Sequence, residues 1–263
     1  MMAAGSGIVI PSAPSGVSPL RPRHYQSITE HQRSEPFELQ VARGLVAGHS
    51  LVNIFGYQEA VGTTSICVWE NAAPFVFPEG PVQLILVSTS AFDIGISLLV
   101  TGLDANYEPM SETVVINGTT PVTTVDQYLR INNVRTTSGN AVGTVTLTNG
   151  GIIYAKILPG TGQTQMAQYT VPAGHTFYLN RVDAFSQPAG GSNNFCTYDV
   201  LATLENGTKY SVLQAPFTQR YEARRVAPFP YGEMTSLQWH AQTSSSTASV
   251  GMVIEGILIK NTI

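Results

Sequence analysis

The chain has 263 residues, enough for one large or two small domains with real cores, and its 43% hydrophobic content excludes a disordered chain. Only 11% of residues are charged, the net charge is −4, and there are just three lysines, Lys156, Lys209 and Lys260. Ordinary soluble domains carry about 25% charged residues. With a net charge of −4 a nucleic-acid partner is not expected, because phosphate binding wants clustered Lys and Arg, and no apolar run approaches the roughly 18 to 20 residues of a membrane span.

A surface built from Thr, Ser, Asn, Gln and Gly is typical of proteins that assemble, or of sandwiches that work outside cells. Residues 1–44 read as an extended, Pro-rich N-terminal arm, with prolines at 11, 14, 19, 22 and 36 denying helix and ladder hydrogen bonds. Tyr25, Ile28, Phe37 and Leu39 are apolar beads on this polar string. Such a segment cannot bury itself, so it is the natural part to reach a neighbour. Its start, "MMAAGSGIVIPSAPSG", has no basic region before the apolar run, so it is not read as a secretory signal. Folding in a cytoplasm is expected.

From about Leu45 the pattern becomes that of short strands. "SLVNIFGYQEAVG", "TSICVWE", "PVQLILVSTS" and "DIGISLLVTGLD" alternate apolar and polar residues, with turn residues at roughly ten-residue intervals. Asn117-Gly118, Asn149-Gly150 and Asn206-Gly207 each read as a tight hairpin turn, because glycine and asparagine tolerate positive φ. No segment sustains a 3.6-residue period, so helix is expected to be scarce. The run "PGTGQTQ", 159–165, divides two units of sandwich size. The prediction is an all-β protein: an arm (1–44) and two β-sandwich units with jelly-roll or Greek-key-like paths (45–161 and 162–263). Trp69 and Trp239 are assigned to packing.

Chemistry is sparse. "DANYE" places Asp104, Asn106 and Glu108 at alternate positions with Glu112 beyond, as a calcium loop begins, but the sixth-position glycine and twelfth-position glutamate are missing. It reads as a polar loop between strands. His24, His31, His49, His175 and His240 show no metal or catalytic spacing. Cys67 and Cys196 read as small buried hydrophobes. No catalytic, cofactor-binding or metal-binding residue is assigned, and the chain is not read as an enzyme.

The segment "GLDANYEPMSETVVINGTTPVTTVDQYLRINNV", 102–134, resembles a family of virion structural proteins from tailed bacteriophages, notably marine and cyanobacterial phages. "NIFGYQEAVGTTSICVWE" upstream and "AQYTVPAGHTFYL" downstream fit the same family, so the resemblance covers roughly residues 50 to 180. It implies a particle component assembled in the bacterial host cytoplasm and carried in the virion. The expected role is a capsid decoration or cement protein on the capsid exterior, bridging major capsid protein subunits and copies of itself as a homo-trimer. Arg21, Arg23, Tyr25 and Phe37 are the expected partner-binding anchors, with no cofactor, membrane or direct nucleic-acid partner. The alternative is a tail- or neck-associated host-recognition protein, in which a loop such as "SQPAGGSNNF", 186–195, binds glycan.

Overall fold

The computed structural model describes residues 35–188 and 194–261. Within them lie one short helix, α1 (Phe37–Ala42), and sixteen strands. These are β1 (His49–Val61), β2 (Ile66–Cys67), β3 (Ile85–Ser88), β4 (Ile94–Leu103), β5 (Pro109–Asn117), β6 (Val122–Thr123), β7 (Arg130–Ser138) and β8 (Val145–Asn149). They continue with β9 (Ile152–Ile157), β10 (Gln168–Thr170), β11 (His175–Pro188), β12 (Cys196–Thr203), β13 (Lys209–Phe217), β14 (Arg220–Tyr231), β15 (Ser236–Thr243) and β16 (Ala248–Lys260). The chain is all-β, and every strand pairing is antiparallel.

Two sandwiches result. In the larger, a sheet ordered β1-β16-β11-β14 faces one ordered β10-β15-β12-β13, with β2 added beside β15. Setting the short β2 aside, the eight strands in chain order take the positions of two interlocked Greek keys, which is a jelly roll. Its core joins Ile54, Phe177, Met252 and Ile254 of the first sheet to Tyr169, Tyr198, Val200 and Trp239 of the second. In the smaller, a sheet ordered β6-β3-β8-β9 faces one ordered β5-β4-β7. Leu86, Leu98, Val100, Val134, Val145 and Leu147 fill the space between. Strand alternation explains both cores: β12 buries every second residue and β8 starts the same way.

The smaller sandwich is an insertion between the first two of these eight jelly-roll strands, β1 and β10. The chain leaves beside β2 and returns through 163–167. Where the crossing segments meet, Trp69 pairs with Met166 and the Ala167 amide donates to the Val68 carbonyl at 2.8 Å. Val68 and Ala167 enter the jelly-roll core, whereas Cys67, Trp69 and Met166 enter the other. One narrow ribbon therefore serves a different core with each face.

Three expectations change. Residues 37–42 of the arm are helical rather than extended: past Pro36 no proline interrupts, the Pro36 carbonyl accepts from the Leu39 and Gln40 amides, and Val41 is buried. Strand β1, grouped by sequence with 45–161, lies in the second sandwich instead, paired with β16 from His49 to Val61. Asn117-Gly118 closes no hairpin. β5 pairs with β4 and β6 with β3, so this turn carries the chain from one sheet to the other. The turns at Asn149-Gly150 and Asn206-Gly207 do close hairpins, β8–β9 and β12–β13. In the former the two-residue loop is Gly150-Gly151, with φ of 56° and 82°, as a type I′ turn requires.

Gly102 marks the tightest approach in the smaller sandwich. A β-carbon there would lie 2.1 Å from the Arg130 carbonyl oxygen, which is backbone and cannot step aside. Gly102→Ala is expected to destabilise the protein by about 1–3 kcal/mol through overpacking. Chemical denaturation of the two proteins checks this.

Candidate interaction surfaces

The joint between the sandwiches is held by side chains acting in place of a strand ladder. Asn132 of β7 donates from Nδ2 to the Thr170 carbonyl at 3.1 Å and accepts the Thr170 amide on Oδ1 at 2.9 Å. Gln168 Nε2 donates to the Ile131 carbonyl. The Arg130 guanidinium lies 4.7 Å from the Phe77 ring centre and 5.4 Å from that of Tyr107. It also donates to the Pro78 and Leu129 carbonyls and to Ser236 Oγ, across to the jelly roll. Tyr107 sits at φ 61°, unusual for a bulky residue, and its carbonyl accepts the Ala173 amide at 2.9 Å. Its strain is absorbed by these contacts.

Glu70, on the outgoing side of the ribbon, is buried. Its Oε2 accepts the Gln165 amide at 2.9 Å, while Oε1 has no partner among the described residues. Burial pushes its pKa from 4.5 up to about 8, against the pull of two backbone hydrogen bonds and of Lys156. A carboxyl whose folded pKa is raised loses stability as pH climbs from the unfolded value to the folded one. The protein is therefore expected to lose stability between pH 4.5 and about 8. Glu70→Gln should flatten that part of the curve, as read by melting temperature against pH.

The far tip of the smaller sandwich is apolar. Phe92 is 89% exposed, Ile94 66% and Val142 65%. They flank Asp93, itself 1% exposed, whose carboxylate accepts from Ser88 Oγ at 2.5 Å and from the Val142 and Gly143 amides at 2.9 and 3.0 Å. The Asp93 carbonyl accepts the Gly118 amide at 2.8 Å, tying in a third loop. Desolvation pulls the Asp93 pKa up, but the hydrogen bonds from Ser88, Val142 and Gly143 outweigh it and hold the carboxyl below its ordinary value. The apolar side chains are thus presented on a braced platform, with exposed Thr119, Thr120 and Asn140 around them.

The scarce charges gather elsewhere, on the outer face of the β16-β11-β14 sheet. Register places Glu255, Arg181 and Arg224 side by side on one rung and Asp183 and Glu222 on the next. Arg181 bridges Asp183 at 3.2 Å, Glu222 at 3.2 Å and Glu255 at 3.6 Å, and Arg220 reaches Asp183 at 2.7 Å. The hydrogen bond and charge of Arg220, then of Arg181, hold Asp183 below the usual carboxylate range. A cavity of about 730 Å³ opens where α1 meets this face, with Glu38, Asn53, Asn180 and Arg224 in its walls.

Of the expected anchors, Arg21, Arg23 and Tyr25 lie outside the described residues. Phe37 is half-exposed on α1, its ring edge-on to His49 at 5.9 Å. Half of the glycan-loop candidate, 189–193, also falls outside them. Asp104 spends its Oδ1 on the Asn106 and Glu108 amides within the β4–β5 turn. No group of three or more His, Cys, Asp or Glu among the described residues could hold a metal. His49 and His175 bond the Ala47 and Ala173 carbonyls, and burial lowers the pKa of His240. Both cysteines are buried and free, and both tryptophans are core residues. Sequence reasoning missed Phe92, Asp93, Glu70 and Arg130, each of which stands in an ordinary-looking turn or strand end.

No protein-family model matches the sequence, and no curated protein matches it. Among solved structures, a structure of infectious bursal disease virus, Gt strain, aligns at 10% identity and TM-score 0.20, covering 86% of this chain and 78% of that one. A mutant VP2 protein of the same virus, in derived particles, aligns at 11% identity and TM-score 0.18, covering 82% and 74%. Likeness at this level carries no argument.

Proposed function

We propose that this chain is a structural component of a tailed-phage virion, a capsid decoration or cement protein that bridges major capsid subunits. The observation that carries the reading is the braced apolar tip: Phe92, Ile94 and Val142 exposed around a buried, triply hydrogen-bonded Asp93. Single exposed apolar residues are ordinary, but a rigid group of them suits burial against another protein. The sequence resemblance over 50–180 and the low charge support the same reading.

The mechanism is mechanical. A specific interface buries about 1,600 Å² in total, more than three side chains supply. The tip therefore acts as the central anchor, with the surrounding Thr and Asn side chains as a polar rim. The arm, with Arg21, Arg23, Tyr25 and Phe37, adds a second attachment, and association into a homo-trimer multiplies both. Each junction covered raises the free energy needed to separate capsid subunits.

The purified chain should sediment with shells stripped of it and raise the temperature at which they burst. Phe92→Asp with Val142→Asp should weaken that association by tenfold or more while leaving the melting temperature of the free protein nearly unchanged. A double variant that binds shells as well as the parent, or a parent that ignores shells, would remove the reading.

A further inference from the structure

Strand β1 is an edge of its sheet, and the edge is open over part of its length. The Tyr57 amide donates outward to the Gln165 carbonyl, away from β16. The β1–β16 register runs without a break from His49 to Gln58. Outward and inward groups alternate in an antiparallel pair, so Phe55, Asn53 and Leu51 also turn their N–H and C=O groups away from β16. No strand lies beyond them among the described residues.

A cleft of about 300 Å³ follows that edge. It is lined by Leu51 to Phe55 of β1 and by Thr101, Leu103 and Pro109 of the inserted sandwich, together with Asn132 and Tyr169. It holds no charged side chain. An apolar slot beside unpaired backbone is what an extended segment needs to add as a strand: backbone bonds give affinity, and flanking pockets receive alternate side chains.

The geometry points to one occupant, the segment Gly7–Pro11 of this chain's own N-terminal region. Ile8, Val9 and Ile10 are the only run of three β-branched residues before residue 35, and they carry no charge. β-Branched side chains favour the extended backbone, and Pro11, lacking an N–H, sets where pairing ends. The described chain begins at Glu35, next to α1, which packs on β1 near the cleft. About 25 residues separate Ile10 from Glu35, a reach of roughly 80 Å. That suffices for the cleft of the same molecule or of a neighbouring copy. This docking does not depend on the chain's place in a particle.

Hydrogen exchange on the full chain tests it. The amides of Leu51, Asn53 and Phe55 should exchange at least tenfold more slowly in the parent than in an Ile8→Asp, Ile10→Asp variant. The Val52 and Ile54 amides, bonded to β16, should be equally protected in both and so report an intact fold. A photoreactive residue at position 10 should cross-link to 101–103 or 132–133, within one molecule or between isotopically distinct copies. Equal exchange of the three edge amides in both proteins, or cross-links confined to other surfaces, overturns the assignment in favour of an empty cleft or a different occupant.

Discussion

The architecture depends on the two-strand crossing at Val68–Trp69 and Met166–Ala167. Because successive side chains of an extended strand point to opposite sides, a single ribbon can plug two cores at once. Val68 and Ala167 complete the jelly roll, and Trp69 and Met166 complete the inserted sandwich. A flexible linker would leave the two bodies free to swivel. Here the crossing is buried on both faces, so motion between them must disturb one core or the other. Asn132, Arg130 and Gln168 then fasten the rest of the joint. The buried Glu70 sits at the same crossing, beside the buried polar side chains of Gln58, Thr164 and Gln168.

That rigidity gives meaning to the distribution of surface chemistry. With 13 basic and 17 acidic residues in the whole chain, six charged side chains on one sheet face are a concentration rather than a background. Exposed pairs are each worth about 0–1 kcal/mol, so the network adds little to folding. Its plainer effect is to keep the outer sheet face solvated and selective about what may cover it. The apolar tip has the opposite character and sits on a different body, held by a carboxylate whose hydrogen bonds all come from that same body. The joint fixes the angle between the two surfaces, so a partner touching both meets a preset geometry.

Much of this was legible in the sequence because it depends on neighbours in the chain. Alternating apolar residues announced the strands, Asn149-Gly150 and Asn206-Gly207 announced their hairpins, and "PGTGQTQ" fell where the chain returns between sandwiches. What stayed hidden depends on partners far along the chain. β1 reads as the natural start of the first unit, and only its pairing with β16, some two hundred residues later, assigns it to the second. Asn117-Gly118 carries the same signal as the true hairpins, yet the edges beside it are already taken by β4 and β3. Asp93 looks like any turn aspartate until Ser88, Val142 and Gly143 converge on it. Helix α1 was masked by the prolines before it, although none interrupts Phe37–Ala42.

The pairing of β1 with β16 has a further consequence for synthesis. The inserted sandwich draws almost all its strands from consecutive residues, so it can close as soon as they have left the ribosome. The jelly roll must hold its first strand unpaired until its last one has been made. Contacts so distant in sequence form slowly, and the waiting edge is exposed meanwhile. Incomplete chains would therefore display a finished inserted sandwich on an unfinished jelly roll, with the β1 edge still bare.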